Sequence, residues 1–121
     1  MSVMVAVSDS PEGAAALAAG VAEANQLATD LIIVNLSLTE VDTTSIPSTL
    51  NFKIIERKGR DDRDPAEAVL DEIQDHAVDR LVIGIKRRSP VGKALLGSIS
   101  QRLLLDSPVP VVAVKVGLQD N

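Results

Sequence analysis

The residues with most chemistry in them lie in one stretch. From Gly84 the chain reads GIKRRSPVGKALLGS, which sets Lys86, Arg87, Arg88 and Lys93 within eight positions and no acid among them. The chain as a whole carries a net charge of −5, so this cluster runs against the overall balance. Gly97 and Ser98 follow it and open or continue a helix. Cations, a hydroxyl and the unpaired N–H groups of a helix start together suit an anion, phosphate above all. The plain alternative is a solvated loop paired with Asp61, Asp62 or Asp64. A second group, Ser8, Asp9 and Ser10, follows an apolar run directly and offers two hydroxyls and a carboxylate.

Other chemistries are excluded or weakened by residue type. There is no Cys, which removes disulfides, thiolate catalysis and thiolate metal sites, and suits a cytoplasmic protein. A single histidine, His76, cannot make a His-rich metal site, and beside Asp75 and Asp79 it reads as a structural helix-end residue. Phe52 is the only aromatic, so bases have no stacking platform, and the negative charge opposes general nucleic-acid binding. Gly92-Lys93 is not a phosphate-binding P-loop. That motif, G-x-x-x-x-G-K-[ST], needs glycine where Arg87 stands and a hydroxyl where Ala94 stands. No G-x-G-x-x-G follows any strand. The first residues lack the basic start of a signal peptide, and no apolar run is long enough to span a bilayer.

The elements that must position these residues alternate along the chain. Val3 to Val7 reads as a buried strand. Ser10 then stands as N-cap, Pro11 as first helical residue and Glu12 as a favourable first-turn acid. An Ala-rich helix runs from Pro11 to Leu27, with Leu17, Val21, Ala24 and Leu27 or Ala28 on one stripe. Leu31 to Leu36 is the second strand. Residues 37–50 have no helical period and cross over as a loop. Asn51 to Arg57 is the third strand. Asp64-Pro65-Ala66-Glu67 predicts a helix start with a capping box. Arg80 to Gly84 is the fourth strand, Lys86 to Lys93 a basic loop, Leu95 to Leu105 a helix, and Pro108 to Val116 the last strand.

Near-continuous apolar strands alternating with helices predict one domain over 1–121. Its core is a parallel sheet covered on both faces. In such sheets ligands bind beyond the carboxyl ends of the strands, where strand order reverses. Three loops meet there: Ser8 to Ser10, Asn35 to Ser37, and Gly84 to Ser98.

These residues resemble the universal stress protein family over essentially the whole length. The resemblance is carried by VMVAVSDSPEG at the start, LIIVNL, DPAEAVLDEIQDHAVDRLVIG, and GKALLGSISQRLLLDSPVPVVAVK at the end. It implies an open five-stranded parallel sheet of order 3-2-1-4-5, Rossmann-like and similar to the adenine nucleotide alpha hydrolases. The family's nucleotide-binding members show G-x-x-G, nine residues, then G-[ST]. Gly84 matches the first glycine, and Gly97-Ser98 match the final pair. Arg87 replaces the second glycine. Where the family has D-G-S-P-E this chain has S-D-S-P-E, so Ser8 stands at the usual acid and Asp9 follows it. The helix that most members place between strands two and three is missing.

The resemblance implies a small stress-response protein that binds ATP, a related adenine nucleotide or a phosphate anion. Ser8, Asp9 and Ser10 would serve the end of strand one and Leu36 the adenine side. Gly84, Arg87, Gly97, Ser98 and Ile99 would serve the phosphates. Mg²⁺ bound with ATP would find Asp9 and Ser98. No residue is placed to orient a hydrolytic water, so the expected role is binding, with slow ATP hydrolysis at most. The alternative is a dimeric interaction module whose basic loop meets an acidic partner. In either case the last strand, Val109 to Val116, is expected at a sheet edge, paired with its own copy in a homodimer.

Overall fold

β-branched and leucine-rich runs make the strands, and the computed structural model of the chain describes residues 2–8, 10–56, 64–87, 94–95 and 97–116. In chain order the strands are β1 (Ser2–Val7), β2 (Asp30–Asn35), β3 (Phe52–Glu56), β4 (Val78–Arg87), β5 (Ala94–Leu95) and β6 (Val111–Val116). Five of them run parallel in the order β3-β2-β1-β4-β6. This is the expected 3-2-1-4-5 sheet, with β6 as its fifth parallel member. The two residues of β5 are an antiparallel addition, pairing Leu95 with Lys86 and Ala94 with Arg87. Lys86 also pairs with Val116 of β6. β5 therefore lies on the β1 side of β4, beyond the end of β1.

Several boundaries differ from the sequence reading, and two of them bear on the site. β4 does not stop at Gly84 but continues to Arg87, because β6 and β5 supply partners on its two sides. The last helix starts at Ser98 and not at Leu95. Ala94–Leu95 are drawn into the sheet, and Gly97, at φ −66° and ψ 165°, is extended.

The three helices among the described residues divide between the faces. α1 (Pro11–Leu27) covers one, and α2 (Pro65–Asp75) and α3 (Ser98–Asp106) cover the other. Strand side chains alternate between the faces. Val3, Val5, Val7, Leu31, Ile33 and Val82 join the core under α1. Met4, Ala6, Ile32, Val34, Leu81 and Ile83 join Ala66, Val69, Ile73 and Leu103 on the other side. All six residues of β1 are buried. Each large aliphatic side chain removed from water contributes about 1.5–3 kcal/mol, which is why the central strand needs no polar face.

The crossover at 37–50 holds no helix, as expected, and is organised by side-chain turns. Asn35 is buried. Its carboxamide donates to the Thr39 carbonyl and to Glu56, and accepts from the Ser37 N–H and hydroxyl. Asp42 accepts from the hydroxyl and N–H of Thr44, which holds its carboxyl below the ordinary aspartate value. Leu50 is buried among the residues under α1, so the segment folds back over that face.

The predicted capping box at α2 does not form. Asp64 is the N-cap by position but makes no capping bond. Asp64 and Glu67 instead turn to Arg102 of α3, which also meets Asp106. The hydrogen bonds to Glu67 and then Asp106 raise the guanidinium pKa above its ordinary value. One arginine thus ties the start of α2 to α3.

α1 approaches the sheet more closely than any large side chain would allow. Its buried stripe is Gly13, Ala16, Leu17, Gly20 and Ala24, while Leu27 lies half exposed. A Cβ on Gly13 would lie 2.0 Å from the Ser8 carbonyl oxygen. A Cβ on Gly84 would lie 2.1 Å from the Glu12 carbonyl oxygen. On Gly20 it would meet the Val5 side chain at 3.1 Å. Backbone cannot step aside as a side chain can. Gly13→Ala and Gly84→Ala are therefore each expected to cost about 1–3 kcal/mol through overpacking. Gly20→Ala gains about 1 kcal/mol of helix propensity against a mild clash and should be near neutral. Urea denaturation of the three variants checks this, and a Gly84→Ala protein as stable as the parent would refute the packing.

Candidate functional site

The strand ends place three loops around one cavity of about 410 Å³. β1 delivers Ser8, β2 delivers Leu36, β4 delivers Gly84 and Ile85, and the start of α3 delivers Gly97, Ser98 and Ile99. The floor is apolar, made of Ala6, Ile83, Ile85, Leu103 and Pro65. Glu12 and Ser100 complete the wall. The volume falls in the range of small-molecule sites, roughly 300–1,000 Å³. An apolar floor with a few polar groups at its rim suits a flat, partly apolar ligand with a charged end.

Six of the residues singled out from sequence thus share one cavity: Ser8, Leu36, Gly84, Gly97, Ser98 and Ile99. Ser10 is not in its wall. It is the N-cap of α1, but its hydroxyl lies 2.7 Å from that of Ser8 and makes no capping bond. It lines a neighbouring cavity of about 280 Å³ with Ser37 and Thr39, and Ser8 stands between the two. Asp9 lies outside the described residues, as do Arg88 to Lys93 of the basic loop. Of Arg87 only the backbone is described, and it is paired with Ala94 in the β4–β5 ladder. His76 lies elsewhere, at the C-cap of α2, with Nδ1 3.1 Å from the Glu72 carbonyl.

The local roles are distinct. Leu36 has its N–H committed to the Val7 carbonyl at 2.9 Å, which seats the β2 end beside the β1 end. Gly84 lines the cavity, yet its lack of a side chain is already demanded by the Glu12 carbonyl. Gly97 is the opposite case. A Cβ there would meet nothing within 4 Å, so the fold leaves space at that point. Ser98, Ile99 and Ser100 form the first turn of α3, whose N–H groups have no partner inside the helix. That turn carries no acid, whereas α1 and α2 start with Glu12 and Glu67. Its partial positive charge is therefore left for something else to meet. Among the described residues no group of three or more His, Cys, Asp or Glu is placed to hold a metal ion. No described helix is long and apolar enough to cross a membrane.

Glu12, Ser100 and the apolar floor were not among the residues picked out from sequence. Glu12 reads as an ordinary first-turn acid, and only its seat over Gly84 brings it to the cavity. Ile83, Ile85 and Leu103 carry no signal that separates a cavity floor from a core.

The comparisons with known proteins agree with this architecture. The model of the Universal stress protein family matches residues 51–115. A universal stress protein of Mycolicibacterium smegmatis is 35% identical over 128 aligned positions, covering 93% of this chain and 96% of that protein. The solved structure of a universal stress protein from Archaeoglobus fulgidus superposes with a TM-score of 0.72 at 23% identity, over 95% of this chain and 98% of that one. The structure of the A. fulgidus protein in complex with dAMP gives 0.67 at 19%, over 95% and 98%. UspA from Lactobacillus plantarum gives 0.64 at 15%, over 93% and 97%. With a family model across more than half its length and a relative of this identity along nearly all of it, the chain belongs to the universal stress protein family.

Proposed function

We propose that this protein binds an adenine nucleotide, ATP or a shorter relative, in the cavity at the carboxyl ends of β1, β2 and β4. The observation that carries the reading is the meeting of residues from three separate loops around one space, with an apolar floor below and the start of α3 at its side. The dAMP complex of the A. fulgidus protein, a structure of the same fold, supports the ligand class. The purine lies on Ile83, Ile85 and Leu36, and the phosphates lie against Gly97, Ser98 and Ile99. Arg87 adds charge from the end of β4. Mg²⁺ accompanying ATP would draw on Asp9 and Ser98. The role is binding, with the chain's own residues offering positions and no nucleophile.

Gly97 gives the cleanest test. Its substitution fills open space, so the fold tolerates a side chain that the phosphates do not. Gly97→Val is expected to weaken ATP binding at least tenfold in titration calorimetry. It should cost the fold only about 1 kcal/mol, from a poorer N-cap. Ser98→Ala should weaken binding by about 0.5–1.5 kcal/mol. Undiminished binding to Gly97→Val would put the ligand elsewhere, and no binding of ATP, AMP or phosphate to the parent protein would end the reading.

We further propose that two copies pair through the strand at Val109 to Val116. Among the described strands β6 has one neighbour, β4, and lies at the sheet edge. Five of its six residues are half-buried, where β1 is wholly buried. A long apolar edge is a hazard unless covered, and a two-fold pair covers both copies at once. Sedimentation should show a dimer at high micromolar concentration. The Pro110 carbonyl accepts from the Leu81 N–H, so in this parallel register Val112 and Val114 turn their N–H groups to β4 and Val111 and Ala113 turn theirs to the open edge. Ala113→Pro, which removes an edge donor and leaves the β4–β6 ladder intact, should give monomers whose circular dichroism is unchanged. A monomeric parent protein at that concentration would exclude the dimer.

A further inference from the structure

Glu12 is the only charged residue among the described residues that line the cavity. Its position is imposed by packing. Its carbonyl oxygen sits 2.1 Å, and its own Cβ 3.0 Å, from where a Gly84 side chain would begin. The Glu12 side chain therefore leaves α1 directly over the bare backbone of β4, at the sheet's carboxyl edge. One carboxylate oxygen, Oε1, is buried there and has no hydrogen-bond donor among the described residues. Neither of the two hydroxyls nearest in sequence, Ser8 and Ser10, bonds to it, and one of them donates to the other. A buried acceptor without a donor is costly, and more so when it belongs to an ionisable group. Placement in the first turn of α1 favours an acid at this point, but it does not explain a buried oxygen left without a donor.

Resting on the nucleotide reading above, we infer that Glu12 is the specificity residue for the ligand's sugar. On binding, its carboxylate swings out of that buried seat into the cavity it lines and accepts hydrogen bonds from the vicinal hydroxyls of a ribose. Two oxygens on one carboxylate match two adjacent donors. The apolar floor takes the base, and the start of α3 takes the phosphate. The sugar hydroxyls remain as the ligand's donors, and Glu12 is the one anionic acceptor in the described wall to meet them. Ser8 stands where the family pattern has an acid, and Glu12 supplies a carboxylate to the same cavity from one turn further on. The protein therefore favours ribonucleotides over their deoxy counterparts.

The experiment is a binding cycle by calorimetry with AMP, 2′-deoxy-AMP and 2′,3′-dideoxy-AMP on the parent protein, Glu12→Ala and Glu12→Gln. Hydrogen bonds to a charged group predict a loss of about ten- to hundredfold from AMP to dideoxy-AMP in the parent. Glu12→Ala should lose the same factor on AMP and nothing on dideoxy-AMP, so the two losses coincide instead of adding. Glu12→Gln, which keeps shape and one acceptor, should fall between, and it carries the cycle if Glu12→Ala does not fold. Equal affinity of the parent for AMP and dideoxy-AMP would overturn the inference and leave the nucleotide reading standing. So would a Glu12→Ala loss that is the same for both ligands. Failure of the parent to bind any of the three would overturn both.

Discussion

Helix α1 meets the sheet backbone to backbone at two points, and the rest of the molecule is arranged around that contact. Gly13 accommodates the Ser8 carbonyl and Gly84 the Glu12 carbonyl. The first ties the helix to the end of the strand that precedes it. The second ties it to β4, a strand more than fifty residues away in sequence. Together they set the angle at which the chain leaves β1. They also bring the start of α1 across the point where the strand order turns from β1 to β4. The cavity opens at that point, where the connections on the two sides of β1 leave to opposite faces of the sheet. Ala16, Gly20 and Ala24 continue the close approach down the helix, so the helix gains its contacts from proximity more than from large apolar groups.

On the opposite face the covering is different. α2 and α3 bring larger side chains, Val69, Ile73 and Leu103, and stand off further from the sheet. They are tied to each other by Arg102, which takes the two carboxylates of the expected capping box. Pro65, directly beside Asp64, is part of the cavity floor. The same arginine therefore fixes where that floor ends. Its ion pairs are exposed and individually weak, and their effect is to orient α2 against α3.

The sheet was legible in the sequence because its strands are buried on both faces and read as unbroken apolar runs. Strand order was legible only through the resemblance, since periodicity says nothing about which strands neighbour each other. The missing crossover helix was visible in the lack of period at 37–50. What could not be read depended on contacts distant in sequence. β4 continues past Gly84 because β5 and β6 pair with it, and the apolar Leu95 goes to that ladder and not to the helix it adjoins. The capping box fails because Arg102, thirty-eight residues from Asp64, outbids the helix N–H groups. Glu12 reached the cavity through the gap that Gly84 leaves, which no local pattern announces. In the site itself, residues at the loop tips were legible, and the apolar floor was indistinguishable from core.

The two glycines that this chain keeps of the nucleotide-binding pattern, Gly84 and Gly97, carry different information. Gly84 would be required in this fold with or without a ligand, because α1 lies on it. Its agreement with the family pattern therefore speaks for the packing of α1 first and for phosphate binding only second. Gly97 is under no such constraint, with open space around it and an ordinary φ of −66° that any residue adopts. Nothing in the described fold asks for a glycine there, and a serine would cap α3 at least as well. The position between them, Arg87, follows the same logic. Its backbone is paired in the β4–β5 ladder, and among described residues other than glycine only Ala28 has a positive φ, so an arginine at 87 is unstrained. Its backbone is thereby less free to wrap a phosphate than a glycine's would be. The close approach of a phosphate then falls to Gly97 and the first turn of α3, and the bare backbone at Gly97 is the feature that packing alone leaves unexplained.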